Sequence, residues 1–345
     1  MTATPAPSRT LSAVWYGVGD LRLEERPVPA LGPTGVLVEV RACGVCATDL
    51  HLLDGTIRFY DPPRVLGHEV GGVVRAIGAS VRHVRPGDAV ALDTSVPCGT
   101  CFHCREGAPF FCPDRTSVFA GFSERAVVPA SVVFPLPPGV DAATGALAEP
   151  LSCALHAVER AALHPGDTVA ILGAGAIGLL VLAVARLAGA TRLIVSDPEP
   201  LRRTIAERLG ATHTVDPVAQ SPVDVVAQLT GGRGADCVFE AAGVQATVDE
   251  AVRLPRRGGT LVQVSVPGTG VTFALPAYDL FARELTIKGS FVRTTEFRRA
   301  VELLGVLDLV PLITERFPLG DVRAAFEAAR GRRGVRVLVG PAAGS

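Results

Sequence analysis

Residues 168–178 read T-V-A-I-L-G-A-G-A-I-G, a short apolar run that ends in glycines at 173, 175 and 178. The run has strand length, and the stretch that follows, A-I-G-L-L-V-L-A-V-A-R-L-A-G, has helix length and closes on glycine. G-x-G-x-x-G alone is a weak pattern, but between a strand and a helix it has a mechanism. Gly173 permits the tight turn, Gly175 lets backbone approach a pyrophosphate, and Gly178 allows the helix to pack closely. The helix N-terminus then faces the phosphates, with Ala176 and Ile177 in the same turn. Asp197 ends the next strand, R-L-I-V-S-D, where a carboxylate accepts from both ribose hydroxyls of NAD and repels the extra phosphate of NADP. Arg202 and Arg203 lie close behind and can tolerate that phosphate, so NAD is favoured over NADP without excluding it. The plainer alternative is a glycine-rich packing turn; the strand–turn–helix context argues for the dinucleotide. Residues 169–185 are also apolar enough to suggest a membrane span. They are shorter than the roughly 20 residues a bilayer needs, carry three glycines and end at Arg186.

Working outward, the alternation continues. P-L-R-R-T-I-A-E-R-L-G reads as a second helix, and D-C-V-F-E-A-A-G and T-L-V-Q-V-S as further apolar strands. Strands alternating with helices predict a doubly wound parallel sheet covered on both faces. Before about residue 150 the texture differs: G-V-L-V-E-V-R-A-C, V-G-G-V-V-R-A-I-G and D-A-V-A-L are short strands separated by Gly, Pro and Asp turns. Past about 290, two helical segments and a closing strand, V-R-V-L-V-G, leave the alternating pattern. The prediction is an α/β chain: a mostly-β domain over 1–150, a Rossmann domain over 151–289, and a return to the first domain over 290–345.

With 345 residues, two domains are the prior. Lys plus Arg (33) nearly balances Asp plus Glu (34), which argues against a nucleic-acid partner. Lys288 is the only lysine. M-T-A-T-P-A-P-S-R-T lacks the basic start and apolar stretch of a signal peptide, so a reducing, cytoplasmic compartment is expected. Tight cysteine clusters there are more often metal sites than disulfides.

There are two such clusters. Cys98, Cys101, Cys104 and Cys112 fall within fifteen residues, C-x2-C-x2-C-x7-C. Four thiolates fill the zinc tetrahedron and leave no vacancy, so this cluster should be structural, in a lobe over about 94–114. The other begins at Cys43 and Cys46, in A-C-G-V-C-A-T-D-L-H, and continues with G-H-E at 67–69 and A-E-P at 148–150. Cys46, His68 and a glutamate would make a zinc site with one position open for water or substrate. A redox dithiol fits Cys43 and Cys46 poorly, because no small βαβ unit surrounds them. His83, His103, His156, His164 and His213 take structural roles by default, and Cys153 and Cys237 read as core residues.

These elements, in this order, resemble the zinc-dependent medium-chain dehydrogenases, the alcohol and polyol dehydrogenase superfamily, over residues from about 10 to 340. The resemblance implies a GroES-like catalytic domain joined to the Rossmann domain, with an active-site cleft where the domains meet. It implies catalytic zinc on Cys46 and His68, with Glu69 and Glu149 as the nearby carboxylates; direct and water-mediated ligation both stay open. Glu149 before proline is similar to the branch of sorbitol, arabinitol and threonine dehydrogenases. Cys43 resembles a residue that is usually not a ligand, and Asp49 one that orients a ligand histidine. Thr48 and His51 resemble a proton relay, while zinc acts as a Lewis acid on a substrate hydroxyl and the nicotinamide takes hydride. C-V-F-E-A-A-G at 237–243 and V-S-V-P-G at 264–268, with Val266, resemble the loops that flank the nicotinamide. L-T-I-K-G-S-F-V-R at 285–293 resembles the crossing back to the first domain, with Ser290 and Phe291 among the implied cofactor contacts and Phe291, Val292 and Arg293 where polyol enzymes contact substrate. The sorbitol-type arginine–tyrosine pair is not reproduced there. The implied enzyme is a homodimer or homotetramer with two zinc ions per chain, one catalytic and one structural, acting on a secondary alcohol with no membrane partner. A 3-hydroxy amino acid, an aldehyde adduct or another alcohol as substrate, and a zinc-stabilised nucleotide sensor, are the alternatives.

Overall fold

The computed structural model describes residues 9–341 apart from 59, 119 and 332. The chain divides into two compact units, one running up to Glu149 and resuming at Phe297, the other Pro150–Glu296. Residues 290–296 thus stay with the second unit instead of leaving it at 290. The anchor is Glu296, which lies 3.0 Å from His156 Nδ1 and accepts from Thr294 Oγ1 at 2.8 Å.

In the second unit six strands form a parallel sheet in the order His213–Val215, Arg192–Ser196, Thr168–Leu172, Ala235–Glu240, Pro255–Gln263 and Thr286–Gly289. Chain order reverses between Thr168–Leu172 and Ala235–Glu240, the topological switch point of a dinucleotide fold. Thr168–Leu172 is buried along its whole length, as a central strand covered on both faces must be. Helix Ala176–Leu187 is buried from Gly178 to Ala185. Its apolar composition is therefore that of an interior helix. Among the described residues no helix is long and apolar enough to cross a membrane.

The first unit is built on a seven-stranded sheet, with Gly35–Gly44 at its centre between Glu69–Ile77 and Arg336–Gly340. Alternate valines of Gly35–Gly44 (Val36, Val38, Val40) join Val70, Val74, Phe122 and Phe326 in its core. The last residue of the central strand, Gly44, stands opposite Glu69 on one side and Leu338 on the other. The ribbon Ser95–Val96 with Thr116–Ser117 closes a lobe around the four-cysteine segment. That lobe has little core of its own: Phe102 and Phe111 are 72% and 50% exposed.

Candidate active site and metal centres

The strand 35–44 hands the chain to helix Ala47–Asp54 through Cys46, which caps the helix. Asp49 reaches back to the cap, its Oδ2 accepting from Cys46 N–H at 3.0 Å. Its Oδ1 accepts from Gly67 N–H at 3.2 Å and lies 3.7 Å from His68 Nδ1. One fully buried carboxylate thus fixes the cysteine, the turn before the histidine and the histidine ring. Glu69 follows on its strand, and candidate ligand atoms of Cys46, His68 and Glu69 all lie within 4.8 Å of one another.

Glu69 is 1% exposed, and its two oxygens have different surroundings. Oε1 accepts from Arg336 Nη1 at 3.0 Å, and the same nitrogen donates to Val45 O at 3.1 Å. Oε2 is buried with no hydrogen-bond partner among the described residues. A buried carboxylate oxygen without a donor is costly, and a cation beside it removes the cost. Burial raises the Glu69 pKa, Arg336 opposes the rise and Glu149 adds to it. Burial also disfavours charge on His68, but Asp49 and Cys46 outweigh it and hold the imidazole pKa well above its ordinary value. Glycine at 44 leaves room for the Glu69 carboxylate: a Cβ there would sit 2.0 Å from Glu69 Oε2 and push it aside.

Glu149 stands 7% exposed in the first turn of helix Ala148–Ala161, outside the close trio, and acts on Glu69 through its charge. Cys43 is fully buried, and burial pushes its thiol pKa well up; a Cβ on Gly67 or Gly121 would lie 2.6 or 2.4 Å from its sulfur. It is a neutral packing thiol. Thr48 and His51 lie three residues apart on one face of helix 47–54, with the His51 side chain 29% exposed.

The lobe gathers the sulfurs of Cys98, Cys101, Cys104 and Cys112 within 4.8 Å. Cys98 and Cys104 sulfurs are 4.0 Å apart, and those of Cys101 and Cys104 3.5 Å. These values straddle the edge of about 3.8 Å that zinc–sulfur bonds of about 2.3 Å give a tetrahedron. Hydrogen bonds from Thr100, from its backbone N–H first, and from the Cys101 N–H hold the Cys98 thiol down at about 6. Cys104 is pushed up to about 12, by burial and then by sharing its proton with Cys101. Four thiols this close ionise together only around a cation, which fits the metal this cluster calls for.

In the second unit, Gly173 has φ +100°, and a Cβ there would lie 3.0 Å from Ala242. A Cβ on Gly178 would lie 1.9 Å from Gly173 O, whereas one on Gly175 would meet nothing within 4 Å. The turn, the close helix packing and an open face for a pyrophosphate are all present. Ala176 and Ile177 begin the helix. Asp197 is 4% exposed and braces the turn by accepting from Ala174 N–H at 2.8 Å. Arg202 lies 3.6 Å from the same oxygen, and Arg203 donates to the Asp197 carbonyl at 2.7 Å. Val266 and Phe291 are 67% and 52% exposed, and Ser290 Oγ is a buried polar atom with no partner among the described residues. Val292 has φ +55°, strain that a β-branched residue rarely accepts, and Arg293 beside it is 3% exposed.

A model of the alcohol dehydrogenase GroES-like domain matches residues 32–138, and one of the zinc-binding dehydrogenases matches 176–305. Sorbitol dehydrogenase of Bacillus subtilis is 34% identical over 339 residues, covering 95% of this chain and 96% of that protein. The chain belongs to the zinc-dependent medium-chain dehydrogenases. A probable D-xylulose reductase A of Arthroderma otae is 36% identical, over 96% of this chain and 97% of its own length. A solved zinc-binding dehydrogenase from Sinorhizobium meliloti 1021, bound to NADP, superposes with a TM-score of 0.92 at 37% identity, over 97% of this chain and 100% of that one.

The roles of Arg336 and Gly44 did not stand out in the sequence. For Arg336 the available signal was a charged residue inside an otherwise apolar strand, V-R-V-L-V-G, because such a group needs a buried partner.

Proposed function

We propose that this protein uses zinc and NAD to interconvert a secondary alcohol, in a polyol or sugar alcohol, with the corresponding ketone. The observation that carries the reading is the trio of Cys46, His68 and Glu69, three mixed donors within 4.8 Å in a chain that also has the glycine turn. When bound, zinc would supply Lewis acidity to a substrate hydroxyl and the nicotinamide would take hydride from the same carbon. The chain's residues do the rest. Cys46, His68 and Glu69 hold the metal and leave a tetrahedral position for substrate. Asp49 keeps the His68 ring turned, and Arg336 keeps Glu69 from swinging away. Thr48 and His51 carry the hydroxyl proton outward along one helix face, from a hydroxyl to an imidazole that reaches solvent. Glu149 supplies a second carboxylate charge that Glu69 feels.

The names of the relatives, sorbitol dehydrogenase and xylulose reductase, support the polyol class. Asp197 supports NAD, although Arg202 at 3.6 Å weakens its charge against a 2′-phosphate. A homodimer or homotetramer is supported by the exposed sheet edge at Thr286–Gly289, beside which Tyr278 and Phe281 are 74% and 78% exposed. A cytoplasmic location is part of the reading, since tight cysteine clusters serving as metal sites belong to reducing compartments. The test is a panel of polyols, sugars and 3-hydroxy amino acids with both cofactors. Turnover of polyols with NAD is expected, and Asp197→Ala should narrow the preference for NAD. Activity confined to amino acids would move the substrate class, and none with any alcohol would end the reading.

A further inference from the structure

Outside the metal sites, Glu240 is a heavily bonded carboxylate, fully buried at the end of strand Ala235–Glu240. Its Oε1 accepts from Ala242 N–H (3.0 Å), Gly243 N–H (2.8 Å) and Thr247 Oγ1 (2.7 Å). Its Oε2 accepts from Gln263 Nε2 (2.6 Å) and Ser265 Oγ (2.5 Å). Five donors converge on two oxygens, an arrangement suited to an ionised, acceptor-only carboxylate. Among the described residues it forms no ion pair, so its charge is spread over neutral groups instead of being cancelled. A buried anion with no cation is expensive to keep, and a packing role needs no charge.

Its place explains what the charge is for. Glu240 lines up in register with Leu172 and Gln263, at the carboxyl ends of the three strands beside the switch point. A dinucleotide lies across that crevice, with its pyrophosphate on the glycine turn and its adenosine ribose toward Asp197. Asp197 follows the strand on one side of Thr168–Leu172, so the nicotinamide half must extend to the other side, over the ends of 235–240 and 255–263. The two segments Glu240 clamps, 242–247 and 263–265, are the chain at those ends. Ala242 also packs against the glycine turn, since a Cβ on Gly173 would touch it at 3.0 Å.

We propose that Glu240 is a positioning residue for the nicotinamide end of the cofactor, and that its negative charge shifts the ratio of affinities toward the oxidised, positively charged ring. The inference rests on the dinucleotide reading above and adds the direction in which this chain biases the two redox forms. Attraction to a fixed charge is weakly screened in a buried site, so removing it acts on NAD+ and spares NADH.

Glu240→Gln isolates the charge. It keeps the shape, leaves Oε1 to the 242–247 turn, and directs its new amide at Gln263, whose own Oε1 is buried without a partner and can turn to accept. The experiment measures dissociation constants of the zinc-loaded protein for NAD+, NADH and ADP-ribose, which lacks the nicotinamide. E240Q should lose about tenfold in affinity for NAD+ relative to NADH, a shift of about 1.4 kcal/mol, with ADP-ribose unchanged. Glu240→Asp, which keeps the charge but shortens the clamp, should weaken both dinucleotides and leave their ratio alone. Equal changes for all three ligands in E240Q, or a shifted ratio in Glu240→Asp, would overturn the inference and leave the dinucleotide reading standing. Wild-type protein that binds none of the three would overturn both.

Discussion

The two cysteine-containing clusters of this chain gather their candidate metal donors in opposite ways. In the lobe, four sulfurs come from fifteen consecutive residues, in a segment with exposed aromatics and almost no core. Around Cys46, three chemically different donors come from a helix cap, a turn and a strand start, each held by a buried group: Asp49 for Cys46 and His68, Arg336 for Glu69. On the proposed reading the lobe would let a metal make the structure, whereas the buried site has structure ready for one. The difference teaches that saturation and support separate a structural ion from a reactive one. A full set of identical donors needs no scaffold, whereas an incomplete mixed set is stable only where the fold holds each donor in place.

The comparison breaks first, if it breaks, at Cys46. Cys46→Ser should lower turnover about a thousandfold, since several kcal/mol of Lewis-acid stabilisation goes with the ligand. Its melting temperature should stay within about 3 °C, because scaffold and not metal holds that site. Steady-state kinetics beside calorimetry would show both, and a large fall in melting temperature would erase the contrast. Cys104→Ser should do the reverse. The melting temperature should drop by roughly 10 °C as lobe zinc is lost, with turnover of the remaining folded protein within about threefold. Equal loss of turnover and stability would mean the lobe shares in the chemistry. The smallest effect sharpens the role of support. Gly44→Ala, which aims a methyl at Glu69 Oε2, should cost about tenfold in catalytic efficiency by displacing that carboxylate while leaving the lobe's zinc in place. An unchanged kcat/KM would mean that Glu69 needs no fixed position.

What the sequence disclosed follows the same line. The lobe was legible because its donors are local and identical, and spacing alone says tetrahedron. The glycine turn was legible because its three glycines meet three separate steric demands in a fixed context. Cys46 and His68 could be joined by donor chemistry, a thiolate and an imidazole suited to an open zinc site, and the family resemblance supported the pairing; they lie 22 positions apart and no local rule brings them together. Arg336 escaped because its partner is far away in sequence, Glu69 lying 267 positions off. Nothing in the sequence marks Phe297 as the point where the first unit resumes, because the His156–Glu296 contact, 140 positions long, leaves no local mark.

The most direct test of the central claim is zinc content measured against turnover while a chelator removes metal from the wild-type protein. Two zinc ions per chain are expected at the start, and turnover should vanish as the count falls from two to one, with the melting temperature nearly constant until the second ion leaves. Full turnover at one ion per chain, with that ion in the four-cysteine lobe, would contradict the account.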